Sequence, residues 1–131
     1  MLAIDTNVLV RAFVLDDPAQ SKRAQKLFAS QAVYVPVTVI LELEWVLRSR
    51  YAYPPGAIAD AMEHLVMLEN TIVGEQTAVA AAATKLRQGW DFADALHHSL
   101  AEGCDSFATF DAKLVRRAGR DVTIAPPVKL L

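Results

Sequence analysis

The sequence predicts a single α/β domain with a mostly parallel central sheet, covering residues 1–131. Three observations support this prediction. Short apolar runs alternate with longer helical segments along the whole chain, and strands separated by helices favour parallel pairing. No Gly/Ser linker, charge block or internal repeat divides the chain. A chain of 131 residues can also bury a core without disulfides or a structural metal.

Short apolar runs mark the predicted strands, because each is followed by a carboxylate, a proline or a turn residue. The first run ends at Asp5, the second at Pro36 and the third at Asp111. The predicted strands are residues 2–4, Val33–Val35, Ser106–Phe110 and Val122–Ile124.

Seven longer segments predict helices, and some of them begin beside a residue that can cap a helix. Asp91 precedes the sixth helix and Asp111 precedes the seventh. The predicted helices run at about Asn7–Leu15, Pro18–Ser30, Val37–Arg50, Pro55–Leu68, Thr77–Gln88, Phe92–Glu102 and Ala112–Ala118.

Composition excludes several classes of protein. The chain is 53% hydrophobic and 21% charged, which is ordinary for a globular domain and argues against disorder. The longest apolar stretch, residues 33–47, contains a proline and two glutamates and is too broken to span a bilayer. Because no basic leader precedes an apolar run, no signal peptide is expected, and the expected location is cytoplasmic without a membrane partner.

The single cysteine and the net charge say little about function. Cys104 cannot form an internal disulfide and has no Cys or His neighbours at zinc-binding spacing, so it is expected to be an ordinary thiol near a helix end. The formal net charge of −2 argues neither for nor against a nucleic-acid partner.

Asp5 stands where the first predicted strand passes into the first helix, and it is either a helix cap or a ligand. An aspartate there can accept the unpaired N–H groups of the helix, but Thr6 and Asn7 follow at once and can cap equally well. One cap is needed and three candidates are present. This surplus raises the question of whether other carboxylates are equally poorly explained.

Glu42 is the most informative acid in the sequence. Its neighbours one helical turn away are three apolar residues and a threonine, so it projects from a largely apolar stripe without a basic partner. Glu44, by contrast, has Arg48 at i+4 and is predicted to form a helical ion pair. A functional role is therefore much better supported for Glu42 than for Glu44.

Asp94 has a strong structural explanation. Asp91 is predicted to be the N-cap, and Asp94 falls in the first turn, where the helix dipole favours a negative charge. The following His97 and His98 either flank a metal or phosphate site or are simply polar surface. On its own, Asp94 is better explained as structural than as functional.

Asp111 closes a strand candidate and opens a helix, so capping and function are about equally supported. Thr109, two residues earlier, points to the same side as Asp111 if the strand is regular. Its hydroxyl could support a carboxylate or a bound water.

Four acids on separate elements could meet at the carboxyl edge of one parallel sheet, where ligands usually bind. They are Asp5, Glu42, Asp94 and Asp111. Carboxylates a few ångströms apart raise one another's pKa, and a divalent cation relieves the repulsion. Oxygen ligands without cysteine indicate Mg²⁺ or Mn²⁺ rather than zinc, and two such ions would suit cleavage of a phosphodiester.

Four sequence blocks resemble the PIN-domain ribonucleases, and within them the VapC toxins of type II toxin–antitoxin systems. The blocks are I-D-T-N-V, L-E-L-E-W-V-L, D-F-A-D-A-L-H and A-T-F-D, in the order typical of that family. The resemblance implies a PIN-like three-layer α/β/α domain and a Mg²⁺- or Mn²⁺-dependent endoribonuclease. It also implies a homodimer and a VapB-like antitoxin that occupies the groove of the toxin.

The resemblance also assigns residues, since the matching blocks carry the family's acids. Asn7 and Thr109 fall on supporting polar positions, and Asp91 remains the cap beside the D-A-L pattern. The metal-binding and catalytic acids it implies are Asp5, Glu42, Asp94 and Asp111. The direct contact of Asp111 with the metal is the least secure of the four.

Basic residues supply candidates for contacts to RNA phosphates, although a solvated surface explains any one of them better. Arg116 and Arg117 form a compact group with Arg120 after Asp111, and Arg11 lies close to the first acid. The further candidates are Lys22, Arg23, Lys26, Arg48 and Arg50.

Two other functions compete with the nuclease. An aspartate-based phosphatase of the haloacid-dehalogenase type also places aspartate after its first strand, but Asn7 stands where the second aspartate of D-x-D is needed. A non-enzymatic interaction module would use three of the acids as caps and bind no metal. Dimerisation has only indirect support from Trp45, Tyr51 and Tyr53, which can equally belong to the core.

Overall fold

The computed structural model describes residues 1–131, which form five strands and seven helices. The strands are β1 (Leu2–Ala3), β2 (Val33–Val35), β3 (Thr71–Val73), β4 (Phe107–Thr109) and β5 (Val128–Leu130). The helices are α1 (Thr6–Phe13), α2 (Pro18–Ser30), α3 (Val37–Tyr51), α4 (Pro55–Met67), α5 (Gln76–Arg87), α6 (Phe92–Leu100) and α7 (Ala112–Ala118).

All strand pairs are parallel, which confirms the predicted α/β class. One sheet has the order β1-β2-β3, with Leu2 opposite Val33 and Val33 opposite Thr71. The second sheet pairs β4 with β5. Helices connect the successive strands of each sheet, in agreement with a three-layer α/β/α domain.

The strand predicted at Val122–Ile124 is wrong. The carboxylate of Asp121 accepts hydrogen bonds from the backbone N–H (2.9 Å) and the hydroxyl (2.6 Å) of Thr123, which stabilise a turn in place of an extended strand. The final strand is β5, further along the chain. Strand β3, a short strand that follows α4, was also not predicted from the sequence.

The helices agree with their predicted bounds to within two residues. Helix α1 begins at Thr6 because Asp5 is its cap, and it ends at Phe13 rather than Leu15. Asp17 caps α2 by accepting a hydrogen bond from the backbone N–H of Gln20 (3.1 Å). None of the seven helices has the length and apolar character that crossing a membrane requires.

Apolar side chains of α3, α4, α5 and α6 form most of a single hydrophobic core. Leu43 and Leu47 of α3 have no exposed surface, and Phe92 at the start of α6 is 1% exposed. These side chains hold α3 and α6 at fixed positions. The acids carried by the two helices therefore have fixed backbone positions as well.

His98 is buried in this core. The sequence suggested that it is either a polar surface residue or a residue that flanks a ligand site, and the structure supports neither role. Its Nε2 donates to the carbonyl oxygen of Pro126 (2.8 Å), and its Nδ1 accepts from Nζ of Lys85 (2.8 Å). The imidazole lies between the rings of Trp90 and Phe107, with centroid distances of 5.2 and 5.6 Å. These contacts require a neutral imidazole with its proton on Nε2.

Acid is expected to destabilise the protein through His98. Burial lowers the pKa of His98, the carbonyl of Pro126 opposes this shift, and the charge of Lys85 adds to it. The unfolded chain therefore binds the proton more readily, and stability is lost as the pH falls below about 6.5. We expect the free energy of unfolding, measured with denaturant, to decline as the pH is lowered from 7.5 towards 5.

Replacement of His98 with glutamine tests this expectation, because glutamine offers an amide for both hydrogen bonds and does not titrate. His98→Gln should be less stable at pH 7.5 and have a shallower decline in acid. His64→Gln, at an exposed position of α4, is the matched control and should retain the wild-type slope. Equal slopes in all three proteins would contradict the assignment.

Candidate functional site

Asp5 and Glu42 line the same open cleft of about 290 Å³, together with Asn7. Asp5 follows β1 directly, and Glu42 lies on the second turn of α3. The fold thus brings together two acids that are 37 positions apart in the sequence, as expected for elements that leave the carboxyl ends of neighbouring parallel strands.

Asp5 is both a cap and a residue of the cleft. One carboxylate oxygen, Oδ1, accepts a hydrogen bond from the backbone N–H of Thr6 (2.7 Å). The second oxygen has no hydrogen-bond or ion-pair partner in the protein, and the side chain is exposed. Capping therefore leaves one oxygen of Asp5 free to bind a ligand.

The contrast between Glu42 and Glu44 is the one predicted from the sequence. Glu44 is buried, and its Oε2 accepts a hydrogen bond from Nε of Arg48 (2.8 Å), which confirms the helical ion pair. Glu42 is exposed and has no basic partner within salt-bridge distance. Glu42 therefore faces the cleft with its charge uncompensated.

Thr6 adds a feature that sequence reasoning missed, since it was considered there only as a cap. Its side chain lines the cleft beside Asp5 and is 5% exposed, and its hydroxyl oxygen has no hydrogen-bond partner. Buried hydroxyl groups are almost always hydrogen-bonded, so an unpaired one at a cleft indicates a missing partner such as water or a ligand. No sequence pattern distinguishes this threonine from an ordinary cap.

Arg11 lines the cleft but does not neutralise its acids, because other residues bind its guanidinium. It donates to the carboxylate of Asp16 and, through Nε, to Gln20 (2.8 Å). The hydrogen bond to Asp16 raises the pKa of Arg11. Loss of hydration raises the pKa of Asp16. Hydrogen bonds from Tyr51 (3.0 Å) and Arg11 outweigh this effect and hold the pKa below its usual value.

Asp94 is partly buried at the start of α6, within electrostatic range of Asp91 and Asp111. Burial raises the pKa of Asp94, and the charges of Asp91 and Asp111 raise it further. Asp91 caps α6 by accepting a hydrogen bond from the backbone N–H of Asp94 (3.1 Å), as predicted. The raised pKa means that the protein holds the Asp94 carboxylate in an environment that disfavours its negative charge.

Asp111 also caps a helix. Its Oδ1 accepts hydrogen bonds from the backbone N–H groups of Lys113 (2.9 Å) and Leu114 (3.4 Å). The hydroxyl of Thr109 accepts a hydrogen bond from the backbone N–H of Asp111 (3.0 Å). Thr109 therefore holds the backbone of Asp111 and does not hydrogen-bond to its carboxylate. The second carboxylate oxygen of Asp111 makes no hydrogen bond, and the side chain is exposed.

The four predicted acids do not form one closed ligand cage. No three Asp, Glu, His or Cys side chains come close enough together to form a metal site. The donor chemistry nevertheless fits Mg²⁺ or Mn²⁺, because Mg²⁺ keeps several waters and commonly binds through one or two carboxylates. Asp5 and Glu42 supply oxygen donors of this kind in one cleft.

The three arginines predicted to bind RNA lie in different surroundings. Arg11 is in the cleft, and Arg116 is exposed on α7. Arg117 donates to the carbonyl oxygen of Gln88 (3.2 Å) and packs against Gly89, so it also holds the loop between α5 and α6. Of these three arginines, only Arg11 lines the cleft of Asp5 and Glu42.

A groove between α1 and α2 continues from the cleft. It has a volume of about 570 Å³ and shares Asn7 and Arg11 with the cleft. Its wall carries Arg23, which has no acidic partner within salt-bridge distance. At the cleft itself, Arg50 of α3 is also without an acidic partner. The groove and the cleft therefore each contain an arginine without an acidic partner.

Comparison with known proteins identifies the family. The model of the PIN domain matches residues 2–120, a segment that contains all seven helices, four of the five strands and the four predicted acids. No curated protein and no solved structure matches the chain. Because the family model covers nearly the whole sequence, the chain belongs to the PIN domain family.

Proposed function

We propose that this protein is a metal-dependent endoribonuclease that acts as the toxin of a VapBC-type toxin–antitoxin pair. PIN domains are generally metal-dependent nucleases, and the family match covers residues 2–120. The observation that carries the proposal is the shared cleft of Asp5 and Glu42, in which both acids have free oxygens and no basic partner. RNA as the substrate and the toxin role rest on the resemblance to VapC toxins.

In the proposed site, Asp5 and Glu42 would hold Mg²⁺ or Mn²⁺ from the α1 and α3 side. Asp94 and Asp111 would complete the site from the α6 and α7 side. When bound, such a cation lowers the pKa of a coordinated water and stabilises the charge that develops on the phosphate. Binding would also offset the burial of Asp94 and the nearby charges of Asp91 and Asp111, which together raise the pKa of this carboxyl.

The polar neighbours have supporting roles in this scheme. Asn7 offers an amide in both the cleft and the adjoining groove, where it can donate to a phosphate or ribose oxygen. Asp16 keeps Arg11 beside the acids without allowing it to occupy their oxygens. Thr109 holds the backbone of Asp111 in place.

Contacts with RNA are proposed for Arg11, Arg116 and Arg117, as the sequence predicts. The groove between α1 and α2 supports a role for Arg11, because this residue lies where the groove meets the acids. A VapB-like antitoxin that covers the cleft, and a homodimer of the toxin, are further parts of the proposal and derive from the family resemblance.

The decisive test is incubation of the purified protein with total cellular RNA in Mg²⁺, in Mn²⁺ and in a chelator. We expect discrete RNA fragments in either metal and none in the chelator. Metal at about ten times its dissociation constant should also raise the melting temperature by about 3–6 °C, because only the folded protein has the site.

The same experiment separates the enzyme from the interaction module. If no RNA is cleaved and neither metal shifts the melting temperature, the nuclease proposal is wrong, and Asp5 and Asp111 are helix caps only. A metal-dependent phosphatase would instead release phosphate from a small ester and leave RNA intact.

A further inference from the structure

Trp45 is a large apolar side chain that the core does not use. It lies three residues after Glu42 on the same face of α3, lines the cleft, and is 53% exposed. The second tryptophan, Trp90, is only 5% exposed and belongs to the core. The cleft therefore places a half-exposed indole beside two carboxylates that have no basic partner, where it can contact a ligand of the cleft.

The residues around Trp45 indicate what kind of ligand covers it. The acids Asp5 and Glu42 and the amide of Asn7 lie in the same cleft, and the free guanidinium of Arg50 lies there as well. A nucleotide has the matching parts: a flat base for the indole, a phosphate for the arginine, and an ester for the acid site. An apolar partner surface would instead bury these charges without compensation.

We propose that Trp45 is a stacking platform for one unpaired base of the RNA substrate, and that Arg50 binds the phosphate next to it. This inference rests on the proposed function and names the side chains that would bind one nucleotide of the RNA next to the acids. In a duplex, each base is already stacked between its neighbours and cannot lie on Trp45 unless it is first extruded.

Fluorescence offers a direct test, because only one of the two tryptophans is accessible to RNA. A short single-stranded RNA is titrated into Asp5→Asn protein in Mg²⁺, so that binding is measured without cleavage. We expect RNA to quench the emission of Trp45, and we expect a duplex of the same sequence to quench it far less. The buried Trp90 should contribute an emission that does not change.

Substitutions of Trp45 in the same background give the size of the effect. Trp45→Ala should weaken binding of single-stranded RNA by about 5- to 100-fold, measured by the anisotropy of labelled RNA, because one base loses its stacking partner. Trp45→Phe should recover most of the affinity. Met67→Ala is the matched control, since Met67 is 82% exposed on α4 and does not line the cleft. It should leave the affinity unchanged.

Several results would overturn the proposal. Unchanged affinity in Trp45→Ala, or equal quenching by duplex and single-stranded RNA, would show that Trp45 does not stack a base. If Trp45→Ala changes the oligomeric state in size-exclusion chromatography while each protomer binds RNA normally, Trp45 is a contact between two copies of the chain and the proposal is wrong.

Failure of this proposal is distinguishable from failure of the nuclease assignment. If the wild-type protein cleaves RNA in Mg²⁺ and Trp45→Ala has an unchanged KM for single-stranded RNA, the stacking role of Trp45 is wrong and the nuclease assignment stands. If RNA quenches Trp45 but the protein cleaves no RNA, the stacking role stands and the nuclease assignment is wrong. Absence of both RNA binding and cleavage would overturn both.

Discussion

Replacement of Asp5 with asparagine is expected to lower metal-dependent RNA cleavage by about 100- to 1000-fold while the fold stays intact. Asparagine can still accept the hydrogen bond from the backbone N–H of Thr6, so the cap of α1 should be retained. The amide has no charge, however, and a divalent cation loses one of the two carboxylates of the cleft. The cleavage rate at saturating Mg²⁺, together with a metal titration followed by melting temperature, measures both consequences.

Asp17→Asn is the matched control for this experiment. Asp17 caps α2 as Asp5 caps α1, but it lies outside the cleft. The two variants therefore undergo the same chemical change at the same kind of helix position, and Asp17→Asn should retain full activity and the full response to Mg²⁺. Comparable activities in Asp5→Asn and Asp17→Asn would refute the role of Asp5 in the metal site.

The largest loss of stability is expected from Phe92→Ala, at about 3–5 kcal/mol. Phe92 is 1% exposed at the first turn of α6, directly after the cap residue Asp91 and two positions before Asp94. Removal of the ring leaves a cavity among residues of the main core. Because domains of this size are stable by only about 5–15 kcal/mol, the variant should lose a large part of its total stability.

Denaturant unfolding of wild type, Phe92→Ala and Phe92→Leu measures this loss. Phe92→Leu keeps most of the apolar volume and should cost less than about 1.5 kcal/mol. A loss in Phe92→Ala no greater than in Phe92→Leu would mean that the ring is not packed as described. Activity should be measured well below the unfolding midpoint, because α6 also carries one of the proposed metal-binding acids.

Much of the fold was predictable because its signals are local. Helices α2 and α7 and strand β2 have the predicted bounds, since proline, aspartate and short β-branched runs mark them in the sequence. Strand β5 was not predictable in the same way, because its pairing with β4 is set by tertiary structure and its three residues, V-K-L, are too few to mark a strand. The run at Val122–Ile124 has stronger β propensity, but the side chain of Asp121 makes it a turn.

In the candidate site too, local features were predictable from the sequence and features that depend on tertiary packing were not. The difference between Glu42 and Glu44 follows from i,i+4 spacing alone, and the structure confirms the pairing of Glu44 with Arg48. The burial of His98 depends on Lys85 and Pro126, which are distant in the sequence, and no local pattern indicates it. The same is true of the unpaired hydroxyl of Thr6, which depends on how α1 packs.

Hydrogen bonds among Arg11, Asp16 and Tyr51 link two of the helices that line the cleft. Arg11 belongs to α1 and Tyr51 ends α3, and Asp16 accepts hydrogen bonds from both side chains, although Tyr51 lies 35 positions after it in the sequence. The two walls that carry Asp5 and Glu42 are thereby tied together by side chains. A site held in this way needs little reorganisation when substrate binds, so binding free energy can go to orienting the phosphate rather than to closing the cleft.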